Sequence, residues 1–293
     1  MLKNNFIHYI AKKHIAGPNL NDALSICKLA ESSGWSTTIS VWTGEHVSAD
    51  ENANKYQEII SAIIDSNLNS YLSIKPSAIN FSLKLFDCIA KNAASKNIRI
   101  HFDSLSPDLA DSYLKFLKEA KTIYSCLGYT LPSRWKRSLL DAELISKLNI
   151  PVRIVKGQWR DPEYSRIDSR KNYLNIINIL AERVPLIGIA THEKILAERA
   201  IEILTKTKTQ YEIEQFFSLP SIEMKLAQKY NFKKRLYVVY GEAYLPYNLR
   251  SINKRPAMLG WVLKDILDLK PKAYNNFQSI QKNFEETHEL TQC

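Results

Sequence analysis

The stretch from Arg235 to Arg255, RLYVVYGEAYLPYNLRSINKR, joins a strand pattern to a helix pattern. Residues Leu236 to Tyr240 are apolar or aromatic and are followed by Gly241, which predicts a buried strand and a turn. A helix is predicted from Pro246, with polar side chains at helical spacing on one face. That face carries Tyr247, Arg250, Ser251 and Lys254. A solvated helix has the same spacing, but the short turn places this one over the strand's carboxyl end, where α/β folds bind substrates.

The rest of the chain alternates between strand patterns and amphipathic helix patterns. The eight predicted strands are Thr37–Trp42, Tyr71–Lys75, Ile98–Asp103, Cys126–Leu131, Val152–Lys156, Leu186–Ala190, Tyr211–Phe217 and Leu236–Tyr240. Eight strand and helix units in 293 residues, with no linker between them, predict the α/β class and a single (β/α)8 barrel of the TIM type. We predict one domain over residues 1–293, with an N-terminal extension at 1–19, a helix from Pro246 over the barrel mouth, and a polar tail at 273–293.

Composition narrows the possible functions. The net charge is +10, yet the 40 Lys and Arg residues are scattered, which argues against a nucleic-acid partner. The cysteines show no CxxC spacing, which is typical of reduced thiols in the cytoplasm. No apolar run approaches the length of a membrane span, and the first residues lack the apolar core of a signal peptide. We therefore expect a cytoplasmic protein with no transmembrane segment.

Charged and hydrogen-bonding residues follow the predicted strands, where a barrel holds its catalytic groups. Four of them, Lys75, Arg134, Arg153 and Arg250, are candidate partners for a carboxylate substrate or a phosphate-bearing cofactor. Others could ligate a metal, as in barrel hydrolases. This second set contains Glu45, His46, His101, Asp103, His192 and Glu193. A metal-dependent hydrolase is the weaker alternative, because no two histidines have ligand spacing on one strand.

Seven segments in order resemble those of the proline dehydrogenase family, which includes the proline dehydrogenase domain of bifunctional proline-utilisation proteins. They are AGPNLNDAL (16–24), SVWTGE (40–45), YLSIKP (71–76), RIHFDS (99–104), RIVKGQW (153–159), IATHE (189–193), and RLYVVYG with LPYNLR (235–250). The similarity runs from about Ala16 to Leu269. It implies a (β/α)8 flavoprotein oxidoreductase that binds FAD and oxidises an amine. In this family, hydride moves from the ring carbon beside the nitrogen of proline to flavin N5, leaving an imine.

The resemblance also implies roles for individual residues. The expected catalytic residues are Lys75, Asp103, Arg153, Tyr237 and Arg250. The expected FAD contacts are Arg153 near flavin N5, Val155 and Gly157 at the isoalloxazine, and Thr191, His192, Glu193 and Gln215 at the tail of the cofactor. The expected substrate contacts are Lys75, Arg134, Ile154, Trp159, Tyr237, Tyr247, Arg250, Ser251 and Lys254. The electron acceptor is left open between a quinone and oxygen.

Departures from the family pattern fall in the expected pocket. Ser251 replaces the second member of an arginine pair, Lys254 an acid, and Pro132 a glutamine. Trp159, Arg134, Leu105 and Ser106 are further departures. Losing one charge-assisted carboxylate contact costs roughly 1.5–3 kcal/mol. The substrate is therefore either free proline, with Arg134 or Lys254 compensating, or a modified proline or another cyclic or secondary amine. A non-catalytic binding protein is a further alternative.

Overall fold

The computed structural model describes residues 15–44, 46–164, 166–217, 219, 221–222 and 226–241. Several predictions lie outside these ranges. They concern Glu45, the helix from Pro246 with Tyr247, Arg250, Ser251 and Lys254, residues 1–14 of the N-terminal extension, and the tail at 273–293.

Eight parallel strands form a closed barrel in which every strand pairs with its neighbours in chain order and β1 pairs with β8. The strands are β1 Ser36–Trp42, β2 Ser70–Ile74, β3 Ile100–Phe102, β4 Leu127–Pro132, β5 Val152–Val155, β6 Leu186–Ala190, β7 Gln210–Phe216 and β8 Lys233–Gly241. All eight coincide with predicted strands to within a few residues. The predicted (β/α)8 barrel is confirmed.

Helices separate the strands. They are α1 Leu20–Ser32, α2 Ala49–Asp65, α3 Leu83–Ala94, α4 Ala110–Ile123, α5 Ser138–Ile145, α6 Ser169–Leu180 and α7 Lys194–Leu204, with 3-10 turns at Pro76–Ile79, Pro107–Leu109 and Ser146–Leu148. The predicted helix at Ser221–Tyr230 lies partly outside the described residues. Among the described residues, no helix is long and apolar enough to cross a membrane. The cytoplasmic location stays a prediction.

The sequence pattern predicts a helix from Lys55 to Ser66, but helix α2 begins six residues earlier, at Ala49, because a capping box starts it. The Ser48 side chain accepts a hydrogen bond from the Glu51 backbone N–H, and Glu51 Oε2 accepts one from the Ser48 N–H at 2.8 Å. Asn52 then ties the loop after β1 to the loop after β2, donating to the carbonyls of Val47 and Ala78. These contacts fix two of the loops at the barrel mouth.

The outer face of the barrel is apolar, and the helices pack on it. Ile39, Leu72, Ile100, Ile154 and Val238 are fully buried members of one hydrophobic core. Side chains alternate between the two faces of a strand, so the residues between these point into the barrel. That inner set is largely polar: it includes Thr38, Tyr71, Ser73, His101, Thr130, Arg153, Glu212, Glu214 and Arg235.

The polar interior is unusual, because TIM barrels are generally filled by Val, Ile and Leu. At its amino-terminal end, Glu212 accepts hydrogen bonds from Arg235 at 2.9 Å and Arg99 at 3.4 Å. Both guanidinium groups also lie over the ring of Tyr71, at 3.7 Å for Arg99 and 4.5 Å for Arg235. Burial would raise the pKa of Glu212, but the two arginines outweigh it and lower that pKa. The buried charges are thus paired, as burial requires.

His101 should make stability depend on pH. It is buried, stacks on Tyr71 and lies 3.1 Å from Thr130 Oγ1, and burial lowers its pKa well below 6.5 with Arg153 adding to the effect. The unfolded chain therefore binds a proton near pH 6.5 that the folded chain does not, so stability rises with pH up to about 6.5. Below that pH, we expect the free energy of unfolding to fall by about 1.4 kcal/mol per pH unit through this group.

Denaturant titrations between pH 5 and 7 check this expectation. His101→Gln should flatten the slope, while His46→Gln, at an exposed position, should leave it unchanged. An identical slope in wild type and His101→Gln would show that His101 does not carry the effect.

Candidate active site

Arg153 on β5 crosses the barrel and joins several strands at the level of the mouth. Its Nε lies 3.1 Å from Thr130 Oγ1, its Nη1 donates to Glu214 Oε1 at 2.8 Å, and its Nη2 donates to Asp103 Oδ1 and to Ser73 Oγ. The side chain is 4% exposed. Burial by itself would lower its pKa, but the carboxylates of Glu214 and Asp103 raise it well above the ordinary value. Arg153 is therefore a permanent cation in a fixed orientation.

Asp103, just after β3, links Arg153 to Tyr237 on β8. Its Oδ2 accepts a hydrogen bond from the Tyr237 hydroxyl at 2.8 Å. The Tyr237 ring stacks on Phe216 with 5.6 Å between centroids, and Arg153 Cζ lies 4.9 Å from the ring. Burial, and then the charge of Asp103, raise the pKa of Tyr237 well above 10. Tyr237 thus keeps its proton and acts as a hydrogen-bond donor.

Lys75 follows β2 on the same rim. Its Nζ donates to the Val41 carbonyl at 3.3 Å, and its backbone N–H donates to the Tyr56 hydroxyl at 3.3 Å. Burial lowers the pKa of Lys75, and the nearby Asp103 carboxylate opposes this shift. An ammonium group held beside one carboxylate can still receive an anionic ligand.

A cavity of about 960 Å³ opens above these residues at the carboxyl end of the barrel. Its floor contains Lys75, Asp103, Thr130, Arg153, Glu214 and Tyr237. Its walls include Trp42 at the end of β1 and residues that follow β1 (Thr43, Gly44), β2 (Ser77, Ala78, Asn80), β5 (Gly157, Gln158) and β6 (His192), together with Gln215 and Phe216 of β7. Ligand sites in proteins commonly have a volume of this order, with a few polar groups on the floor.

The structure brings together part of the predicted site. Eight of the predicted residues line the cavity: Lys75, Asp103, Arg153, Val155, Gly157, His192, Gln215 and Tyr237. Three others are placed differently. Ile154 is fully buried in the core outside the barrel, Arg134 donates to the Gln158 carbonyl, and the Trp159 carbonyl accepts from the Trp135 indole. None of these three lines the cavity.

The side chains of Thr191, His192 and Glu193 make hydrogen bonds and ion pairs with other residues of the chain. Thr191 Oγ1 accepts the Glu193 N–H at 3.1 Å, and His192 Nε2 accepts the Phe216 N–H at 3.0 Å. Glu193 forms ion pairs with Lys156 at 2.9 Å and Arg170 at 2.5 Å. Burial would raise the pKa of Glu193, but these two cations lower it. Of the three residues, only His192 lines the cavity.

Glu214 is the main residue of this cluster that was not predicted from the sequence. It is 2% exposed and contacts Arg153 directly, as do Thr130 and Ser73, which were also missed. The signal was present, because Glu212 and Glu214 are two acids at alternate positions of a predicted buried strand, and such acids must share one face and find partners.

Within the described ranges, no three His, Cys, Asp or Glu side chains are grouped as metal ligands. His101 instead lies against Thr130, and His192 Nε2 accepts a backbone N–H. No observation on these residues favours the metal-dependent alternative.

Gly157 lines the cavity with bare backbone, because Pro132 leaves no room for a Cβ at this position. This residue has a φ of 87°, and a Cβ there would lie 2.6 Å from Cβ of Pro132. The bare backbone at Gly157 and the neighbouring Val155 both line the cavity. A backbone without Cβ allows a ring system to approach closely. Pro132 offers no N–H donor, and its carbonyl accepts from Ser138 Oγ at 2.6 Å.

These features define the class: a (β/α)8 barrel with a buried, charged site at the carboxyl ends of its strands, where barrel enzymes carry out their chemistry. No family model matches the chain. It is 23% identical over 274 residues to proline dehydrogenase 1 of Bacillus subtilis, covering 88% of the chain and 90% of the relative. It is 24% identical over 284 residues to proline dehydrogenase 2 of the same species, covering 90% and 92%. The chain is thus similar in sequence to proline dehydrogenases along most of its length, in agreement with the resemblance of its motifs.

Solved structures agree on the fold. Proline utilization A from Bdellovibrio bacteriovorus, inactivated by N-propargylglycine, superposes with a TM-score of 0.71 and 16% identity, covering 91% of this chain. A proline utilization A variant from Bradyrhizobium japonicum gives a TM-score of 0.63 and 17% identity over 79% of this chain. This chain spans about a third of the length of those proteins, 33% and 29%.

Proposed function

We propose that this chain is an FAD-dependent dehydrogenase that oxidises proline or a proline-like cyclic or secondary amine. The observation that carries the proposal is the fixed cluster of Arg153, Asp103 and Tyr237 beneath a cavity that also contains Lys75. The similarity to proteins named proline dehydrogenases, which extends over nearly the whole chain, supports it.

The cofactor would lie against Val155 and Gly157, with His192 and Gln215 toward its tail. Bound FAD would supply the acceptor for the hydride that leaves the carbon beside the substrate nitrogen. Arg153 would stabilise negative charge near the flavin ring because its orientation is set before any ligand binds. Tyr237 would present an aromatic face to the substrate, and Lys75 a cation.

Substrate choice within the proposal depends on residues outside the described ranges. Arg250 would hold a carboxylate, and the adjacent Ser251 would offer no second charged contact. We therefore propose that a proline with a masked carboxylate, such as an amide or thioester, competes with free proline as the substrate. The single domain over 1–293, the cytoplasmic location and a quinone or oxygen acceptor remain predictions.

The absorbance spectrum of the purified protein tests the proposal. We expect flavin absorbance bands after reconstitution with FAD, and loss of the visible band of oxidised flavin on anaerobic addition of proline or prolinamide. A protein that takes up no flavin would contradict the proposal. A flavin that no cyclic amine reduces would favour the non-catalytic alternative.

Arg250→Met should lower kcat/KM for free proline roughly 10- to 100-fold, because a charge-assisted hydrogen bond is worth about 1.5–3 kcal/mol. The same variant should leave kcat/KM for prolinamide nearly unchanged, since the amide carries no negative charge. Arg255→Met is the control, because a position five residues on falls on another face of the predicted helix. Equal losses on both substrates would show that Arg250 does not recognise the carboxylate.

A further inference from the structure

Glu214 is a buried carboxylate that accepts hydrogen bonds from three side chains inside the barrel. Its Oε1 accepts hydrogen bonds from Arg153 Nη1 at 2.8 Å and from Thr38 Oγ1 at 3.0 Å, and its Oε2 accepts one from the Tyr71 hydroxyl at 3.0 Å. The side chain is 2% exposed and contributes to the cavity floor. A carboxylate with three donors in a dry interior is strongly fixed.

Arg153 is consequently held between two carboxylates. Asp103 takes a hydrogen bond from Nη2, Glu214 takes one from Nη1, and Thr130 lies within reach of Nε. A guanidinium has five N–H donors in a planar fork, so few of them remain for a ligand. Its positive charge is also offset by two negative charges. Arg153 therefore exerts a weaker positive field on whatever occupies the cavity than an unpaired guanidinium would.

We propose that Glu214 is a positioning residue that holds Arg153 from β7, two strands away around the barrel, and offsets its charge. This inference rests on the proposed function for its consequence. A cation near a flavin stabilises the reduced form, which carries more negative charge, and thus raises its reduction potential. Glu214 would keep the potential lower than Arg153 alone would set it.

Glu214→Gln tests the charge effect, because the amide keeps the shape and an acceptor oxygen for Arg153. At a fixed potential, we expect the ratio of reduced to oxidised bound flavin to rise at least ~10-fold, which is about 30 mV for a two-electron couple. Redox titration against a reference dye measures it. An unchanged or lower potential would overturn the electrostatic part of the inference.

Glu212→Gln is the matched control. Glu212 lies on the same strand and the same inner face, about 6.6 Å further from the mouth at the rise of a strand, and pairs with Arg235 and Arg99 instead of Arg153. The Glu212→Gln variant also removes one buried negative charge. We expect it to change the ratio of reduced to oxidised flavin by less than ~3-fold, because the electrostatic interaction with the flavin weakens with distance. An equal effect of both variants would show that contact with Arg153 is irrelevant.

A double-mutant cycle on the flavin-free protein tests the positioning contact independently of the cofactor. The unfolding equilibrium constant is measured for Glu214→Gln, Arg153→Met and the double variant. We expect the unfolding constant of the double variant to be at least ~10-fold below the product expected from additive single effects, since each single change leaves a buried charge without its opposite charge. Additive effects would overturn the contact. Coupling without flavin binding would contradict the proposed function and the effect on potential, while the contact would stand.

Discussion

Arg153→Met is expected to lower kcat/KM of the flavin-loaded protein by ~10³-fold or more and to reduce the free energy of unfolding by about 3–5 kcal/mol. The activity loss follows from removing the cation that the barrel fixes beneath the cavity, where preorganised charge contributes most to catalysis. The stability loss follows because Asp103 and Glu214 would remain as buried carboxylates without their shared partner. Steady-state assays and denaturant titration measure the two effects separately.

Arg235→Met is the control for this prediction. Arg235 is buried in the same barrel, donates to Glu212 at 2.9 Å and to the Thr37 carbonyl at 2.6 Å, and does not line the cavity. We expect a comparable stability loss, with kcat/KM of the folded protein changed by less than ~3-fold, because the chemistry lies at the other end of the barrel. Equal catalytic losses in both variants would show that Arg153 acts only through folding.

The barrel could be predicted because each strand and each helix has a recognisable local sequence pattern. Apolar runs such as Leu186–Ala190 and Leu236–Tyr240 can only be strands buried on both faces when amphipathic helices alternate with them. Placing the site then needed one rule, that residues at the carboxyl ends of parallel strands converge. Lys75, Asp103 and Tyr237 do converge, although Tyr237 lies more than a hundred residues further along the chain than the other two.

The alternation of side chains along a strand explains why Ile154, a predicted substrate contact, does not line the cavity. Arg153 and Val155 point into the barrel, so Ile154 between them faces the helices. This could have been deduced from the strand alone. The pairing of Arg153 with Glu214 could not, because it joins β5 to β7 past the intervening β6 and depends on how far each side chain reaches inside the barrel. The early start of α2 depended on reading Ser48 and Glu51 as a capping box, which is a local signal.

Gly157→Ala is expected to raise the Kd for FAD by ~100-fold and to reduce the free energy of unfolding by about 1–2 kcal/mol. The backbone at Gly157 has a φ of 87°, a conformation that side chains with a Cβ rarely adopt, and the new methyl group would lie 2.6 Å from Cβ of Pro132. Either the β5 end or Pro132 must shift, and the β5 end borders the proposed flavin position. A misplacement of about 1 Å at such a position can cost 10²-fold in function. Flavin fluorescence titration measures the Kd.

Gly34→Ala separates the backbone cost from the effect on the site. Gly34 has a similar φ of 77°, but a Cβ there would meet only Lys234 Nζ, at 4.0 Å, and the residue does not line the cavity. We expect about 1 kcal/mol of lost stability from the left-handed backbone, with the FAD affinity unchanged. If Gly157→Ala weakened flavin binding no more than Gly34→Ala, the close approach of a ring to Gly157 would be wrong. Because both variants share the same backbone strain, any difference in FAD affinity between them is due to the space around residue 157.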